Sequence, residues 1–82
     1  MNRIGVLGGG AWGTALAAAM ASDAEVLLWA REQPVIDAIN AAHENTLFLP
    51  GIALPGTVLA TTALADLATC DVWLVVTPAQ HL

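Results

Sequence analysis

Three consecutive glycines at positions 8–10 separate a short apolar run from an alanine-rich stretch. The apolar run at 3–7 has the length and composition of a buried strand. Alanine dominates residues 11–21, and its small side chain both favours a helix and lets that helix lie close to a sheet. Gly13 completes the spacing G-x-G-x-x-G. The sequence therefore predicts a strand, a glycine-rich turn and a helix in direct succession, and this order constrains the fold more than any other feature.

Strand and helix patterns continue to alternate along the rest of the chain. Pro34 suits the first turn of a helix, because its missing N–H would have no partner there. An apolar stripe follows it at helical spacing, made of Val35, Ile36, Ile39 and Ala42. The predicted strands after the first helix are 25–29, 58–60 and 71–77, the predicted helices are 33–42 and 62–69, and the segment 43–57 is predicted as a loop.

The predicted order β-α-β-α-β-α-β indicates a parallel sheet with right-handed crossovers. The strands at 3–7 and 71–77 are the most continuously apolar, so we expect both at the centre of the sheet, covered on both faces. Thr62 is expected to cap the short helix that it precedes.

Composition excludes several classes of function. The chain has 82 residues, enough for one domain, and only two basic residues, Arg3 and Arg31, which disfavours a nucleic-acid groove or an anionic membrane surface. The single cysteine, Cys70, has no partner for a disulfide and no metal-ligating companions at suitable spacing. Charged residues make up 11% of the chain, against about 25% in an average soluble domain, so we expect part of its surface to be covered within a longer protein.

A secretory signal sequence is the main alternative for the first twenty residues. Arg3 would supply the positive region and "AMAS" the cleavage site. The glycines at 8–10 and Gly13 interrupt the apolar segment that such a signal needs, and they also disfavour a transmembrane helix.

Each glycine of the turn has a mechanical role in the binding of a dinucleotide. Gly8 allows a tight turn out of the strand, Gly10 lets a pyrophosphate approach the backbone, and Gly13 lets the helix pack on the strand. The helix N-terminus then presents free N–H groups to the phosphates. The predicted fold class is α/β, a Rossmann-like parallel sheet with flanking helices, truncated to the N-terminal part of a dinucleotide-binding domain. A glycine-rich turn without a ligand is the alternative.

The end of the second predicted strand bears on the choice of dinucleotide. NAD-specific domains carry an acidic residue there that binds the ribose 2′-hydroxyl. Here the strand ends in "LLWARE", so Arg31 follows the tip without a preceding acid. An arginine at this place pairs well with a 2′-phosphate, which favours NADP, with NAD as the alternative cofactor. A surface arginine paired with Glu32 would explain the same residue without function.

Four segments, "GGGAWGTALA", "LWAR", "HENTLFLPGIALP" and "DVWLVVTPAQHL", resemble in order and spacing the N-terminal part of NAD(P)-dependent glycerol-3-phosphate dehydrogenase. The resemblance runs over nearly the whole chain. It implies a two-domain oxidoreductase, with a partial cofactor domain at 1–82 and a helical substrate domain beyond it. The reaction implied is hydride transfer between NAD(P)H and dihydroxyacetone phosphate, which forms glycerol 3-phosphate for phospholipid synthesis in the cytoplasm.

The same resemblance assigns roles to particular residues. It places Ala11 and Trp12 at the pyrophosphate turn, Arg31 at the 2′-phosphate, and Pro78 and Gln80 near the cofactor. The implied cofactor-binding set is therefore Gly8, Gly10, Ala11, Trp12, Gly13, Arg31, Pro78 and Gln80. Three positions depart from the family pattern. The family often has serine where this chain has Ala11, usually has an apolar residue in place of Thr77, and can have a basic residue in place of Glu32.

The resemblance places the catalytic lysine in later sequence, so no catalytic residue is assigned here, neither His43 nor His81. The 82-residue chain by itself is expected to be inactive. The expected partner is the small-molecule substrate, with no metal, nucleic acid or membrane insertion, and a homodimer is left open. The alternatives are another NADP dehydrogenase with the same first domain and a non-catalytic module that senses NADPH.

Overall fold

The computed structural model describes residues 3–8, 10–47 and 50–76. Four strands and two helices lie within these ranges, together with one 3₁₀ helix at Leu64–Thr69. In chain order the strands and helices are β1 (Arg3–Leu7), α1 (Ala11–Met20), β2 (Glu25–Trp29), α2 (Gln33–Ala42), β3 (Val58–Thr61) and β4 (Val72–Val75). These bounds agree closely with the predicted elements, because each strand coincides with an apolar run and each helix with a helical pattern.

All four strands are parallel, in the order β3-β2-β1-β4. Val6 of β1 lies beside Leu28 of β2 on one side and Leu74 of β4 on the other. The fold is α/β and Rossmann-like, as predicted. Since the strands are parallel, their carboxyl ends meet at one edge of the sheet, where the connections to the helices begin.

The main core lies between one face of the sheet and the two α-helices. Its strand residues are fully buried at Val6, Val26, Leu28 and Val58, and the helices meet them with Ala17, Val35 and Ile39. Burial of each large aliphatic side chain contributes about 1.5–3 kcal/mol. Ala17 is completely buried, as expected for a small residue that brings α1 close to the sheet.

The 3₁₀ helix packs on the opposite face of the sheet. Leu67 is 1% exposed, and a Cβ at Gly5 would lie 3.0 Å from its side chain. The indole Nε1 of Trp73 donates to the carbonyl oxygen of Leu67 at 2.8 Å. This segment was predicted as a helix from 62 to 69, and its observed start at Leu64 is two residues later.

The predicted helix cap at Thr62 is wrong. Ala63 occupies the cap position, and no side-chain hydrogen bond is made from there. The hydroxyl oxygen of Thr61 accepts from the N–H of Ala63 at 3.0 Å, and that hydroxyl donates to Asp66 at 2.7 Å. The stabilising hydroxyl therefore comes from the last residue of β3, one position before the residue that the sequence pattern favoured.

The central position predicted for the last strand is not observed among the four described strands. β1 is internal, but β4 pairs only with β1 and lies at the edge of the described sheet. Val72, Trp73 and Val75 are 48%, 58% and 71% exposed. Apolar composition predicts that a strand is covered, but the covering element need not lie within the same stretch of chain. Thr77, the last residue of the predicted strand, lies outside the described residues.

The segment between α2 and β3 is a loop, as predicted, with its described parts at 43–47 and 50–57. His43 ends α2 in the left-handed conformation, with φ 56°. Its carbonyl oxygen accepts from Leu54 N–H at 2.7 Å. The carboxylate of Glu44 accepts from Gly51 N–H at 2.9 Å, so hydrogen bonds join the two sides of the loop.

Candidate functional site

The turn between β1 and α1 lies at the carboxyl edge of the sheet. Gly8 N–H donates to the carbonyl oxygen of Trp29 at 2.9 Å, and Val76 N–H donates to Leu7 at 3.0 Å. The ends of β1, β2 and β4 therefore meet around this turn. In open parallel sheets such an edge is where ligands bind.

Two glycines of the turn are required by the protein itself. Gly8 has φ +132°, a conformation that L side chains rarely adopt, and a Cβ there would lie 2.8 Å from the carbonyl oxygen of Val76. A Cβ at Gly13 would lie 1.8 Å from the carbonyl oxygen of Gly8, so only glycine lets α1 come this close to β1. The tight turn and the close packing predicted for these two positions are both observed.

Gly10 differs from both. Its φ of −73° and ψ of −173° suit any residue, and a Cβ added there would meet nothing within 4 Å. Neither backbone strain nor a neighbouring atom of the described chain requires glycine at this position. The missing side chain therefore leaves open space beside the residue that caps α1.

This open space is adjacent to the N-terminus of α1. Gly10 is the cap residue and no side-chain hydrogen bond is made from it, and the first turn contains no acidic residue. The first N–H groups of a helix have no partner within the helix and carry a partial positive charge. Ala11 and Trp12 are exposed in this first turn, with Trp12 at 70%. The end of α1 can therefore accept an anion.

Two buried polar side chains lie behind the turn. The hydroxyl of Thr14 donates to the carbonyl oxygen of Gly10 at 2.8 Å, and Asn45 Nδ2 donates to that hydroxyl oxygen at 2.7 Å. Both residues are 0% exposed. Neither was predicted as a site residue, although both stand in the segments that carried the family resemblance, "WGTALA" and "HEN".

Arg31 lies two residues after β2 ends at Trp29, at the same edge of the sheet as the glycine turn. Its side chain is exposed. Across the described part of the chain, the ion pair observed within 4 Å joins Arg3 to Glu25, and Arg31 is not paired with Glu32. The guanidinium is therefore available to a ligand.

The structure describes only some of the remaining candidate residues. His43 is exposed at the end of α2. Burial raises the pKa of the Cys70 thiol, and Arg3 opposes that rise only in part, so the thiol stays protonated at neutral pH. Pro78, Gln80 and His81 lie outside the described residues. Over 3–8, 10–47 and 50–76, no cluster of three potential metal ligands is present, and no helix is long and apolar enough to cross a bilayer.

The family model for the N-terminus of NAD-dependent glycerol-3-phosphate dehydrogenase matches residues 3–82. The chain belongs to this family. It is 57% identical, over 99% of its length, to the glycerol-3-phosphate dehydrogenase [NAD(P)+] of Parvibaculum lavamentivorans, and covers 25% of that protein. It is 55% identical, over its whole length, to the enzyme of the same name from Paramagnetospirillum magneticum, and covers 30% of it.

Solved structures of the family have the same fold. Glycerol-3-phosphate dehydrogenase from Coxiella burnetii aligns with 95% of the chain at a TM-score of 0.83 and 36% identity, with 25% of that protein covered. The enzyme from Saccharomyces cerevisiae aligns with 96% of the chain at a TM-score of 0.85 and 29% identity, with 27% covered. The chain thus spans roughly a quarter of the length of most of these proteins.

Proposed function

We propose that this chain is the cofactor-binding part of an NAD(P)-dependent sn-glycerol-3-phosphate dehydrogenase. The complete enzyme transfers a hydride between NAD(P)H and dihydroxyacetone phosphate in the cytoplasm, and so supplies glycerol 3-phosphate to phospholipid synthesis. The helical substrate domain and the catalytic lysine belong to sequence beyond residue 82. Membership of the family supports this proposal at the level of the enzyme class.

The observation that carries the cofactor role is the open space at Gly10. Gly8 and Gly13 are explained by the chain's own packing, whereas glycine at position 10 is not. A ligand that occupies the space of the missing Cβ explains it, and the uncapped N-terminus of α1 suits the negative charge of a pyrophosphate. Ala11 and Trp12 would contact the same group.

We further propose NADP as the preferred dinucleotide. Arg31 is exposed, unpaired with Glu32 and located where β2 ends, beside the turn. A guanidinium binds phosphate with two parallel hydrogen bonds, so it would favour the 2′-phosphate. The bound dinucleotide supplies the hydride, while the residues of this chain bind and orient it. Pro78 and Gln80 stay in the proposed site on the family resemblance alone.

The test uses the complete protein and compares two glycines. Gly10→Val places a branched side chain in the proposed pyrophosphate space, and we expect the dissociation constant for NADPH to rise at least about tenfold with the fold retained. Gly56→Val is the matched control, because Gly56 also has open space around its missing Cβ but lies just before β3, at the amino edge of the sheet.

Calorimetry gives both dissociation constants, and NADPH-dependent reduction of dihydroxyacetone phosphate tests the reaction itself. Equal affinities of wild type and Gly10→Val would remove the phosphate role of the turn. Tight NADPH binding without reduction of dihydroxyacetone phosphate would leave a cofactor-binding protein that is not this enzyme.

A further inference from the structure

Two side-chain hydrogen bonds in series connect the loop after α2 to the start of α1. Asn45 Nδ2 donates to Thr14 Oγ1 at 2.7 Å, and Thr14 Oγ1 donates to the carbonyl oxygen of Gly10 at 2.8 Å. Asn45 and Thr14 are separated by 31 positions in sequence and are both fully buried. A loop residue therefore contacts the glycine turn through a single intermediate.

The direction of these hydrogen bonds is fixed by chemistry. A threonine hydroxyl has one proton, and here it is given to Gly10. The hydroxyl oxygen must then accept from a donor at its other side, and the amide nitrogen of Asn45 is such a donor. Loss of the Asn45 amide would remove this donor from a buried hydroxyl oxygen and so weaken the hold on its orientation.

The orientation of the Gly10 carbonyl determines the direction in which the N–H of Ala11 points. The carbonyl oxygen accepts from both the backbone N–H and the hydroxyl of Thr14, at 3.0 and 2.8 Å. The peptide from Gly10 to Ala11 is planar and trans, so its N–H points opposite to its carbonyl. Holding the carbonyl towards Thr14 therefore aims the Ala11 N–H in the opposite direction, out of the N-terminal end of α1.

Asn45 is itself held in place by its neighbours along the loop. His43 accepts from Leu54 N–H at 2.7 Å, and the carboxylate of Glu44 accepts from Gly51 N–H at 2.9 Å. These bonds close the loop segment that contains Asn45, which is 0% exposed. Such support is what a group needs in order to hold another group in one orientation.

We propose that Asn45 is a positioning residue for the dinucleotide pyrophosphate, acting through Thr14 on the Gly10–Ala11 peptide. The inference rests on the proposed function, since it assumes that the turn binds a pyrophosphate. Asn45 is buried behind the turn and does not touch the ligand. Its effect is on the direction of one N–H, so it changes the binding of the cofactor and leaves the hydride-transfer step alone.

The experiment measures NADPH affinity and steady-state kinetics in the complete protein. Asn45→Ala and Thr14→Val are each expected to raise the dissociation constant and the KM for NADPH about tenfold, with kcat unchanged. Thr14→Ser keeps the hydroxyl and is expected to bind NADPH within about twofold of wild type. In the double variant Asn45→Ala/Thr14→Val, we expect no more loss than in either single variant, because both remove the same connection.

Asn40→Ala is the matched control. This substitution also removes side-chain amide hydrogen bonds, namely the two half-buried ones between Asn40 and the backbone of Ala60, which lie on β3 away from the turn. It is expected to lower the melting temperature without changing NADPH affinity. If Asn45→Ala behaves in the same way, or if Thr14→Val and Thr14→Ser bind NADPH equally well, the positioning role is wrong.

The comparison of Thr14→Val with Thr14→Ser tests the proposal even where Asn45→Ala does not fold. Equal NADPH binding by these two variants overturns the role of Asn45, because Asn45 acts through the Thr14 hydroxyl. Gly10→Val in parallel separates the two proposals. Weak binding by Gly10→Val together with normal binding by Thr14→Val overturns only the role of Asn45, whereas normal binding by Gly10→Val overturns the pyrophosphate site itself.

Discussion

At the scale of single residues, three glycines that look equivalent in the motif have three different physical explanations. Gly8 is set by its backbone angle, Gly13 by a contact with Gly8, and Gly10 by no atom of the described chain. The motif spacing was enough to predict the first two roles. Thr14 and Asn45 were missed because their contact joins two distant segments, and no local pattern contains such a pair.

The first prediction concerns stability. Gly13→Ala places a methyl group 1.8 Å from a backbone oxygen, so α1 must move away from β1. We expect a loss of about 1–3 kcal/mol or more in the free energy of unfolding, measured in urea. Gly10→Ala adds the same methyl in open space and should stay within about 0.5 kcal/mol of wild type. Equal losses for both variants would contradict the assignment of close packing to Gly13 alone.

The second prediction concerns cofactor choice. Arg31→Ala in the complete protein should weaken NADPH by roughly tenfold to a hundredfold and change NADH little, since a charge-assisted hydrogen bond to phosphate is worth about 1.5–3 kcal/mol. High salt should narrow the preference of the wild type, because Arg31 is exposed.

Arg3→Ala is the control for the second prediction. It removes the same charge, but at the amino end of β1, where Arg3 pairs with Glu25. Calorimetric ratios of the NADPH and NADH dissociation constants should therefore move in Arg31→Ala only. If the ratio of the NADPH and NADH dissociation constants also shifts in Arg3→Ala, the preference comes from the overall electrostatic field of the protein and not from a contact with Arg31.

At the scale of elements, the apolar runs predicted the four described strands, the alanine content predicted α1, and the apolar stripe at helical spacing predicted α2. The sequence pattern did not give the place of β4 in the sheet, because composition records that a strand is covered and not by what. It also did not show how the free edge of β3 is closed. Asn40 makes two hydrogen bonds there with the backbone of Ala60, at 3.0 and 2.9 Å, and so replaces a neighbouring strand.

The third prediction tests this edge. Asn40→Ala should lower the free energy of unfolding by about 1–3 kcal/mol, because it removes two hydrogen bonds and exposes the backbone of Ala60. Hydrogen exchange of the Ala60 amide should become faster. Gln33→Ala removes a side-chain hydrogen bond to Asp37 on the exposed surface of α2 and should cost less than about 0.5 kcal/mol. A larger loss in Gln33→Ala than in Asn40→Ala would show that the edge contact is unimportant.

At the scale of the whole molecule, the two outer strands of the sheet differ in what they present to solvent. The backbone of β3 is bonded at Ala60 by Asn40, whereas β4 carries Trp73 and Val75, which are 58% and 71% exposed. The chain has only 11% charged residues to oppose association. An exposed apolar edge strand is a template for pairing with another strand.

The last prediction follows from this difference. The 82-residue chain expressed by itself should associate as its concentration rises, and Val75→Lys should shift that association to concentrations at least about tenfold higher, because charge on an edge strand opposes pairing. Leu59→Lys is the control, since Leu59 is 54% exposed but lies in β3, where Asn40 occupies the outer edge. Sedimentation equilibrium measures both. If Leu59→Lys suppresses association as strongly as Val75→Lys, the added charge and not the edge of β4 governs it.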